Sequence, residues 1–317
     1  MADILLIGAG PMAVQHYKAA RALDLTVTVC GRGEASADAF EAETGMRPGT
    51  GELQSQLEAM KVVPARALVA VSVAQLGDAT RAVLAAGCER VLLEKPGGAT
   101  LEDVEALASG DGDDRVRLAY NRRFLPSVLT AADCIASDGG LTSMMFEFNE
   151  NRSLVAGLTQ HTPAVKANWF FANSTHVVDT AFFLAGYPSR IPDHEMAAFA
   201  NGDAAALPPS QAYGGAGRIG DVVYAFHADW SSAGRWGIEL CTPRRRLVLK
   251  PVETLSEMPA GSFRLNELAL SHGEPSGLKP GLFNMLAAFQ KDPDQPAFLS
   301  LKGQADRLRC FRKFVGG

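Results

Sequence analysis

Lys95 is the first residue whose type and position could do chemistry. It follows a short apolar run at residues 90–93 and stands between Glu94 and Pro96. In an open α/β sheet, ligands bind outside the carboxyl ends of the strands, so a lysine there would project toward the ligand. Pro96 has no backbone N–H and cannot continue a central strand, which predicts a turn. An ordinary strand-end turn with a surface lysine is equally compatible with these residues taken alone.

His176 is the second such residue, because histidine titrates near neutral pH and can act as an acid or a base. It begins an apolar helical pattern, and a histidine that caps or lines a core helix would look the same. Asp179, three residues later, is interpreted as structural support. A cluster just before the helix could bind a sugar by stacking and hydrogen bonding, or form a solvated loop: His161, Lys166, Asn168 and Trp169.

The elements that would position these groups begin at the N-terminus. Residues 3–7 form an apolar run typical of a strand buried on both faces, and a helical pattern starts at Ala13. Between them lies a G-x-G-x-x-A sequence, the dinucleotide-binding pattern. Gly8 would permit the tight turn, and Gly10 would let the backbone approach a pyrophosphate at the helix N-terminus. We therefore expect a dinucleotide here.

The end of the second strand, residues 26–30, suggests which dinucleotide binds. A site specific for NAD places an acidic residue there to bind the ribose, but this chain continues with Gly31 and Arg32 and has no acid until Glu34. Arg32 can pair with a 2′-phosphate and stack on adenine, and Ser36 could add a hydrogen bond. The sequence thus favours NADP(H). An exposed turn arginine in an NAD enzyme is the alternative.

Strands and helices alternate through the first part of the chain. Further strands are predicted at residues 68–73 and 116–120, with helices at 76–86 and from Thr100, whose N-cap is supported by Asp103. This alternation predicts a doubly wound parallel sheet of the Rossmann type over residues 1–121. The expected cofactor contacts are Gly8, Gly10, Pro11, Met12, Ala13, Gly31, Arg32, Ser36, Ser72, Val73, Glu94, Lys95 and Pro96.

Residues 122–317 have a different pattern and are predicted to form an α+β domain with a large, mostly antiparallel open sheet. Alternating apolar and polar residues predict long strands, for instance in residues 221–230. The half-polar face of this sheet could be solvated or could pair with another subunit. Residues 192–220, rich in Ala, Gly and Pro, are interpreted as a loop or lid-like excursion.

The composition is that of an ordinary globular α/β protein of 317 residues, with 47% hydrophobic and 21% charged residues. A net charge of -5 gives no reason to expect nucleic acid as a partner. Five scattered cysteines lack metal-ligand spacing and suggest no disulfide framework. We expect no metal site. With no signal-like N-terminus and no apolar stretch of the ~20 residues that a membrane span needs, we expect a cytoplasmic protein without membrane contact.

Four segments resemble the Gfo/Idh/MocA oxidoreductases, the family of glucose–fructose oxidoreductase and inositol dehydrogenase. They are residues 8–13, 94–96, 120–124 and 175–179, and the resemblance extends from end to end. It implies a nicotinamide-dependent dehydrogenase or reductase acting on a sugar, a cyclitol or a nucleotide-sugar-like substrate. It also implies a homodimer or homotetramer formed through the open sheet of the second domain.

The resemblance also implies roles for individual residues. Lys95 matches the lysine that hydrogen-bonds the reacting oxygen, and His176 matches the histidine that relays the proton. Like-charge repulsion from the oxidised nicotinamide would lower the lysine pKa, and cationic donors would stabilise alkoxide character. The expected substrate contacts are Lys95, Tyr120, Arg122, Arg123, Lys166, Trp169, Asn173 and His176. Arg122 and Arg123 could position a carboxylate or phosphate of the substrate, or one of them could simply brace the domain junction.

One position departs from the family pattern. Many members carry an aspartate four residues before the histidine, where this chain has Ala172. Asn173 could donate a hydrogen bond but cannot act as a base. Four interpretations of Ala172 stay open: Lys95 and His176 suffice, the reaction runs mainly as reduction, the substrate lacks the group that the aspartate serves, or the protein is a cofactor-binding sensor without catalysis. Separately from Ala172, an enzyme of the same fold that reduces an imine or a tetrapyrrole-like substrate also stays open.

Overall fold

The chain packs as two compact units in the computed structural model, which describes residues 3–110, 112–159, 161–189, 191, 194–203, 208 and 210–315. The first unit comprises Met1–Phe124 and Glu274–Ala305, and the second comprises Leu125–Gly273 and Asp306–Gly317. The predicted division after residue 121 falls close to the end of the first segment. The return of residues 274–305 to the first unit has no counterpart in the sequence prediction.

The first unit is built on a parallel sheet. Its strands are β1 (Ile4–Ile7), β2 (Val27–Cys30), β3 (Arg66–Val69), β4 (Arg90–Leu93) and β5 (Val116–Leu118). Its helices in the N-terminal segment are α1 (Pro11–Ala22), α2 (Glu34–Thr44), α3 (Leu53–Glu58), α4 (Leu76–Ala85), α5 (Leu101–Ala108) and α6 (Gly112–Arg115), with 3₁₀ turns at Val73–Gln75 and Asn121–Phe124. The predicted doubly wound parallel sheet is confirmed.

The strand order of this sheet is β2-β1-β3-β4-β5. All four residues of β1 are buried, as the continuous apolar run predicts for a central parallel strand. The chain leaves β1 in one direction and β3 in the other, so a topological switch point lies between these two strands. Ligands of such sheets bind at the carboxyl end of that point.

The second unit contains an eight-stranded sheet in the order β13-β12-β11-β10-β6-β9-β8-β7. Its strands are β6 (Ser143–Phe148), β7 (His194–Asp203), β8 (Ser210–Ile219), β9 (Val222–Asp229), β10 (Trp236–Cys241), β11 (Arg245–Leu249), β12 (Ser256–Pro259) and β13 (Asn266–Glu267). The helices that precede β7 in this unit are α7 (Pro126–Asp138), α8 (Arg152–Gly157), α9 (Pro163–Ala167) and α10 (Thr175–Leu184), with a π turn at Phe170–Ser174. The pairings are antiparallel except between β6 and β9, which run parallel.

The interpretation of residues 192–220 as a loop is wrong, since β7 and β8 form a ten-residue antiparallel pair in this region. Glycine and alanine are depleted in strands, which hid the pattern. Two of the glycines are required by packing. A Cβ on Gly215 would lie 2.5 Å from the Phe226 ring, and one on Gly217 would lie 2.7 Å from the Tyr224 hydroxyl.

Two helices complete the chain, α11 (Leu282–Lys291) and α12 (Leu301–Phe314). The buried residues of α11 recur at helical spacing: Leu282, Met285, Leu286 and Phe289. They pack into the apolar core of the first unit, which is why this late segment belongs there. No helix among the described residues combines the length and the apolarity that crossing a bilayer requires.

Candidate functional site

The turn between β1 and α1 has the shape that a bound pyrophosphate requires. Gly8 has φ +120°, and a Cβ on it would lie 2.3 Å from the carbonyl oxygen of Ala70. Gly10, with φ -86°, is the N-cap of α1 and provides no side-chain cap, while Pro11 opens the helix. A Cβ on Gly10 would meet nothing within 4 Å. The space beside Gly10 is therefore open at the N-terminus of α1, where the first N–H groups of a helix have no intrahelical acceptor, and Ala13 in the first turn is fully buried.

The segment after β2 is fixed by its backbone and exposes Arg32. The Gly31 N–H donates to Gly49 O at 2.7 Å, and the Gly51 N–H donates to Arg32 O at 2.9 Å. The Arg32 side chain is exposed and has no hydrogen bond among the described residues. Ser36 donates its hydroxyl back to Gly33 O at 2.8 Å.

The carboxylate of the nearest acid, Glu34, is hydrogen-bonded to two other residues. Its two carboxylate oxygens accept from Arg47 Nη2 at 2.6 Å and from Thr50 Oγ1 at 2.6 Å. A carboxylate that already accepts these two bonds is poorly placed to bind the 2′-hydroxyl of a ribose. Arg32 is thus an exposed cation at this strand end, available to a ligand.

Ser72 and Val73 follow β3, on the other side of the switch point. The Ser72 hydroxyl donates to Gln75 Oε1 at 2.9 Å and fixes the 3₁₀ turn. Val73 is 40% exposed, an unusual position for a branched apolar side chain beside a polar turn. It offers an apolar surface on which a planar ring could pack.

The Lys95 turn is held by the chain on both sides. The Lys95–Pro96 peptide bond is cis. The Glu94 N–H donates to Val69 O at 3.0 Å, and Gln304 Nε2 donates to Pro96 O at 3.0 Å. Lys95 is half-buried at the carboxyl end of β4. These two hydrogen bonds hold the turn in place and so fix the backbone from which the Lys95 side chain extends.

Glu94 is held by His16, a residue to which sequence reasoning assigned no role. His16 Nε2 lies 2.6 Å from Glu94 Oε1, and the imidazole is 1% exposed. A signal existed, since His16 shares the buried face of α1 with Ala13 and Ala20. The contact spans 78 residues, so the sequence could not supply the partner.

Two of the expected substrate contacts lie in the interior of the first unit. Tyr120 is 1% exposed and donates its hydroxyl to Gln304 Oε1 at 3.0 Å. Arg123 is fully buried, donates to Ala297 O at 2.9 Å and lies 5.6 Å from the centroid of the Tyr120 ring. Both brace the unit. Arg122 is half-buried, and its charge acts on Glu274 and Lys279.

In the second unit, His176 lies in the first turn of α10, directly after the π turn. It is half-buried, and its ring centroid lies 6.2 Å from that of Trp236. Asp179 is fully buried and pairs with Arg307 Nε at 2.6 Å, which fits the predicted structural role. Because π turns are enriched at functional sites, this helix start is a candidate site in its own right.

Glu150 is a carboxylate beside this helix start that sequence reasoning missed. Its Oε1 accepts from Asn173 Nδ2 at 3.0 Å, Ser174 Oγ at 2.9 Å and Trp236 Nε1 at 3.1 Å. Burial raises the pKa of Glu150, although these bonds favour its ionised form. The available signal was an acid directly after the apolar strand β6. Ala172, in the same turn, supplies no acid.

The remaining members of the polar-aromatic cluster are engaged locally. Lys166 Nζ donates to Ala156 O at 2.7 Å, at the end of α8. Trp169 is 8% exposed and packs edge-on against His161, with ring centroids 5.3 Å apart. A cavity of about 250 Å³ opens beside Glu150. It is lined by Asn149, Glu150, Asn151, Gly234, Arg235, Trp236, Pro251, Val252 and Glu253.

Comparison with known proteins identifies the first domain. Residues 2–116 match a family model described as "Oxidoreductase family, NAD-binding Rossmann fold", the GFO_IDH_MocA model. The N-terminal domain belongs to the Gfo/Idh/MocA oxidoreductase family. The glycine turn and the Lys95 turn both lie within the matched residues. Among curated protein sequences, none matches the chain significantly.

Solved structures share the fold over nearly the whole chain. An oxidoreductase from Agrobacterium radiobacter in complex with NAD+, L-tartaric acid and magnesium has a TM-score of 0.75 at 14% identity, covering 99% of this chain and 94% of its own. Levoglucosan dehydrogenase in complex with NADH and L-sorbose has a TM-score of 0.73 at 17% identity, covering 98% and 95%. UDP-N-acetylglucosamine 3-dehydrogenase from Acidithiobacillus ferrooxidans has a TM-score of 0.73 at 14% identity, covering 98% and 96%. At these identities the likeness establishes the fold.

Proposed function

We propose that the protein is an NADP(H)-dependent oxidoreductase that acts on a carbonyl or alcohol carbon of a sugar, a cyclitol or a nucleotide-sugar-like substrate. The observation that carries the proposal is the set of groups at the carboxyl edge of the first unit's sheet. The open glycine turn follows β1, the exposed Arg32 follows β2, and Lys95 follows β4. One edge thus offers a phosphate cradle, a cation for a 2′-phosphate and a cation for a reacting oxygen.

The preference for NADP(H) rests on charge. Arg32 is exposed, and the carboxylate of Glu34 is taken up by Arg47 and Thr50. A 2′-phosphate therefore meets a guanidinium, which binds phosphate through charge-assisted hydrogen bonds. The same arrangement offers the 2′-hydroxyl of NAD(H) no carboxylate acceptor, so NAD(H) binds more weakly in this account.

Lys95 and His176 are proposed as the catalytic residues. When bound, the nicotinamide supplies or accepts the hydride. Lys95 donates a hydrogen bond to the oxygen on the reacting carbon and stabilises negative charge as it develops there. His176 takes the proton that an alcohol releases on oxidation, or returns it on reduction. Glu94, held by His16, fixes the Lys95 turn and takes no part in proton transfer.

The proposed substrate class is supported by the cavity beside Glu150. Its lining combines amides, carboxylates, Arg235 and the Trp236 indole, the side chains that bind hydroxyl groups and the apolar face of a sugar ring. The similar structures include a levoglucosan dehydrogenase with bound L-sorbose and a UDP-N-acetylglucosamine 3-dehydrogenase. Both are named for carbohydrate substrates.

We further propose that the protein forms a homodimer or homotetramer through the open face of its eight-stranded sheet. Met145, Ala225, Ala216 and Ala197 are successive cross-strand partners and form a row of apolar side chains. Phe199 and Val223 on this face are 74% and 55% exposed. An exposed apolar face of this kind is typical of a subunit interface. Light scattering should give a dimer or tetramer, and a monomer at micromolar concentration would contradict this part of the proposal.

The experiment that tests the function is a turnover screen with the purified protein. Oxidation of NADPH and reduction of NADP+ would be followed at 340 nm against a panel of sugars, cyclitols, nucleotide sugars and their keto forms. We expect turnover with at least one compound and stronger activity with NADPH than with NADH. Tight NADPH binding without turnover across the panel would favour the cofactor-binding sensor, which Ala172 keeps as the second candidate.

A further inference from the structure

Lys279 presents an ammonium group at the start of the dinucleotide-binding helix, with no oxygen acceptor among the residues that the structure describes. Its Nζ lies 2.9 Å from the Met12 Sδ, on the second residue of α1. A thioether is a weak acceptor, whereas an ammonium has three strong N–H donors. Among the described residues, this thioether is the one hydrogen-bond acceptor recorded for Lys279. The side chain is half-buried, so bulk water does not fully replace the missing acceptors.

The backbone holds this lysine firmly in place. Asn121 Nδ2 donates to Pro280 O at 2.8 Å, and the Gly281 N–H donates to Glu274 Oε2 at 2.8 Å. The Leu282 N–H donates to Lys279 O at 3.2 Å as α11 begins. Gly281 adopts φ +79°, which permits the tight entry into α11. A side chain mounted on so fixed a turn, with a poor partner, is preorganised for a ligand.

The charges around Lys279 are compatible with an anion bound beside its ammonium group. Burial lowers the pKa of Lys279, the Glu94 charge opposes that shift, and the Arg122 charge adds to it. Glu94 already binds His16 at 2.6 Å, and Glu274 already accepts from Gly281 and faces Arg122. The two nearby carboxylates are therefore engaged, while the Lys279 ammonium lies beside Met12 in the first turn of α1.

We propose that Lys279 is a phosphate ligand of the dinucleotide, and that its ammonium exchanges the Met12 thioether for a pyrophosphate oxygen at the Gly10 turn. The inference rests on the proposed function only in that a dinucleotide binds; it requires neither turnover nor a 2′-phosphate. The glycine turn contributes backbone N–H groups, and Lys279 adds a full positive charge. Free energy lost in desolvating the ammonium is recovered when the anion arrives.

The test measures binding rather than catalysis. Dissociation constants would be obtained by calorimetry for NADP+, for ADP-ribose, which retains the pyrophosphate but lacks nicotinamide, and for 2′-AMP, which lacks the pyrophosphate. The variant is Lys279→Gln, which removes the charge and keeps a polar side chain. Lys61→Gln is the matched control, since Lys61 is exposed and precedes β3 at the amino end of the sheet.

Lys279→Gln should weaken NADP+ and ADP-ribose about tenfold each, as the loss of one charge-assisted hydrogen bond predicts. Binding of 2′-AMP and the melting temperature should match those of Lys61→Gln and the wild type. Unchanged affinity for NADP+ would overturn the inference, as would weakening of NADP+ without ADP-ribose, or of all three ligands together. If the wild-type protein binds neither NADP+ nor NAD+, the proposed function itself fails. If instead the wild type binds NADP+ and Lys279→Gln binds it equally well, only the inference about Lys279 fails.

Discussion

Two glycines in the turn after β1 have different roles, and alanine substitutions at the two positions distinguish these roles. Gly8 serves the fold: at φ +120° an alanine is strained, and its Cβ would lie 2.3 Å from Ala70 O in the neighbouring strand segment. Gly10 serves the ligand: at φ -86° and ψ -179° its backbone suits any residue, and its Cβ would meet nothing within 4 Å.

The magnitudes follow from these two environments. Gly8→Ala incurs backbone strain of roughly 1–3 kcal/mol and a further roughly 1–3 kcal/mol because the backbone of Ala70 must move. For a protein of this size the melting temperature should fall by on the order of 10 °C. Gly10→Ala should change the unfolding free energy by less than about 1 kcal/mol, since a weaker N-cap is offset by a less flexible unfolded chain.

Differential scanning fluorimetry and NADPH titration would be run on both variants. Gly10→Ala should melt within a few degrees of the wild type, yet bind NADPH at least about tenfold more weakly, because its methyl group fills the space of the pyrophosphate. A Gly10→Ala protein with wild-type affinity for NADPH would refute the assignment of this space to phosphate. A Gly8→Ala protein of wild-type stability would refute the structural account of the turn.

Two further substitutions test the specificity and the electrostatics of the site. Arg32→Ala should weaken NADPH binding roughly 10- to 100-fold and NADH binding by less than about threefold, because it removes a cation that only a 2′-phosphate needs; Arg21→Ala, at the far end of α1, is the control, and equal weakening of both cofactors would contradict the prediction. Glu150→Gln keeps a side-chain oxygen that can accept hydrogen bonds but removes a carboxylate whose pKa is raised by burial. Because the carboxyl pKa is raised in the folded protein, the ionised group lowers the stability at pH values above its ordinary pKa of 4.5 and has no such effect below it. Glu150→Gln should therefore be at least as stable as the wild type at pH 7. In urea unfolding, this difference in unfolding free energy should vanish below about pH 4.5. A variant less stable at pH 7 than at pH 4, relative to the wild type, would reverse that sign.

The sequence predicted those features whose signals are local. The strand–glycine turn–helix order at residues 3–23 identifies both the parallel sheet and its phosphate cradle. Thr100 is confirmed as an N-cap, with the Asp103 N–H donating to Thr100 Oγ1 at 3.2 Å and Asp103 Oδ2 accepting from the Thr100 N–H at 2.9 Å. The alternation of apolar and polar residues in β9 likewise predicts its buried face, because successive side chains of a strand point to opposite faces of the sheet.

Features that depend on distant partners were beyond the sequence. His16 and Glu94 are 78 residues apart, and Lys279 reaches Met12 across 267 residues, so no local pattern links them. The pair β7 and β8 was hidden because its glycines make room for the rings of Phe226 and Tyr224 rather than following strand propensity. Tyr120 and Arg123 are buried against partners 184 and 174 residues away, which no local pattern could predict, and their contact with a substrate stays a prediction.

The most direct test of the central claim compares the wild type with Lys95→Met, using Lys61→Met as a control for the loss of one surface charge. NADPH affinity and turnover would be measured on the same preparations, with the best substrate from the panel. Lys95→Met should bind NADPH within about threefold of the wild-type affinity and turn over roughly 10²- to 10⁴-fold more slowly, the usual contribution of a positioned proton donor. Lys95→Met with wild-type turnover would contradict the claim that the end of β4 is where the reaction takes place.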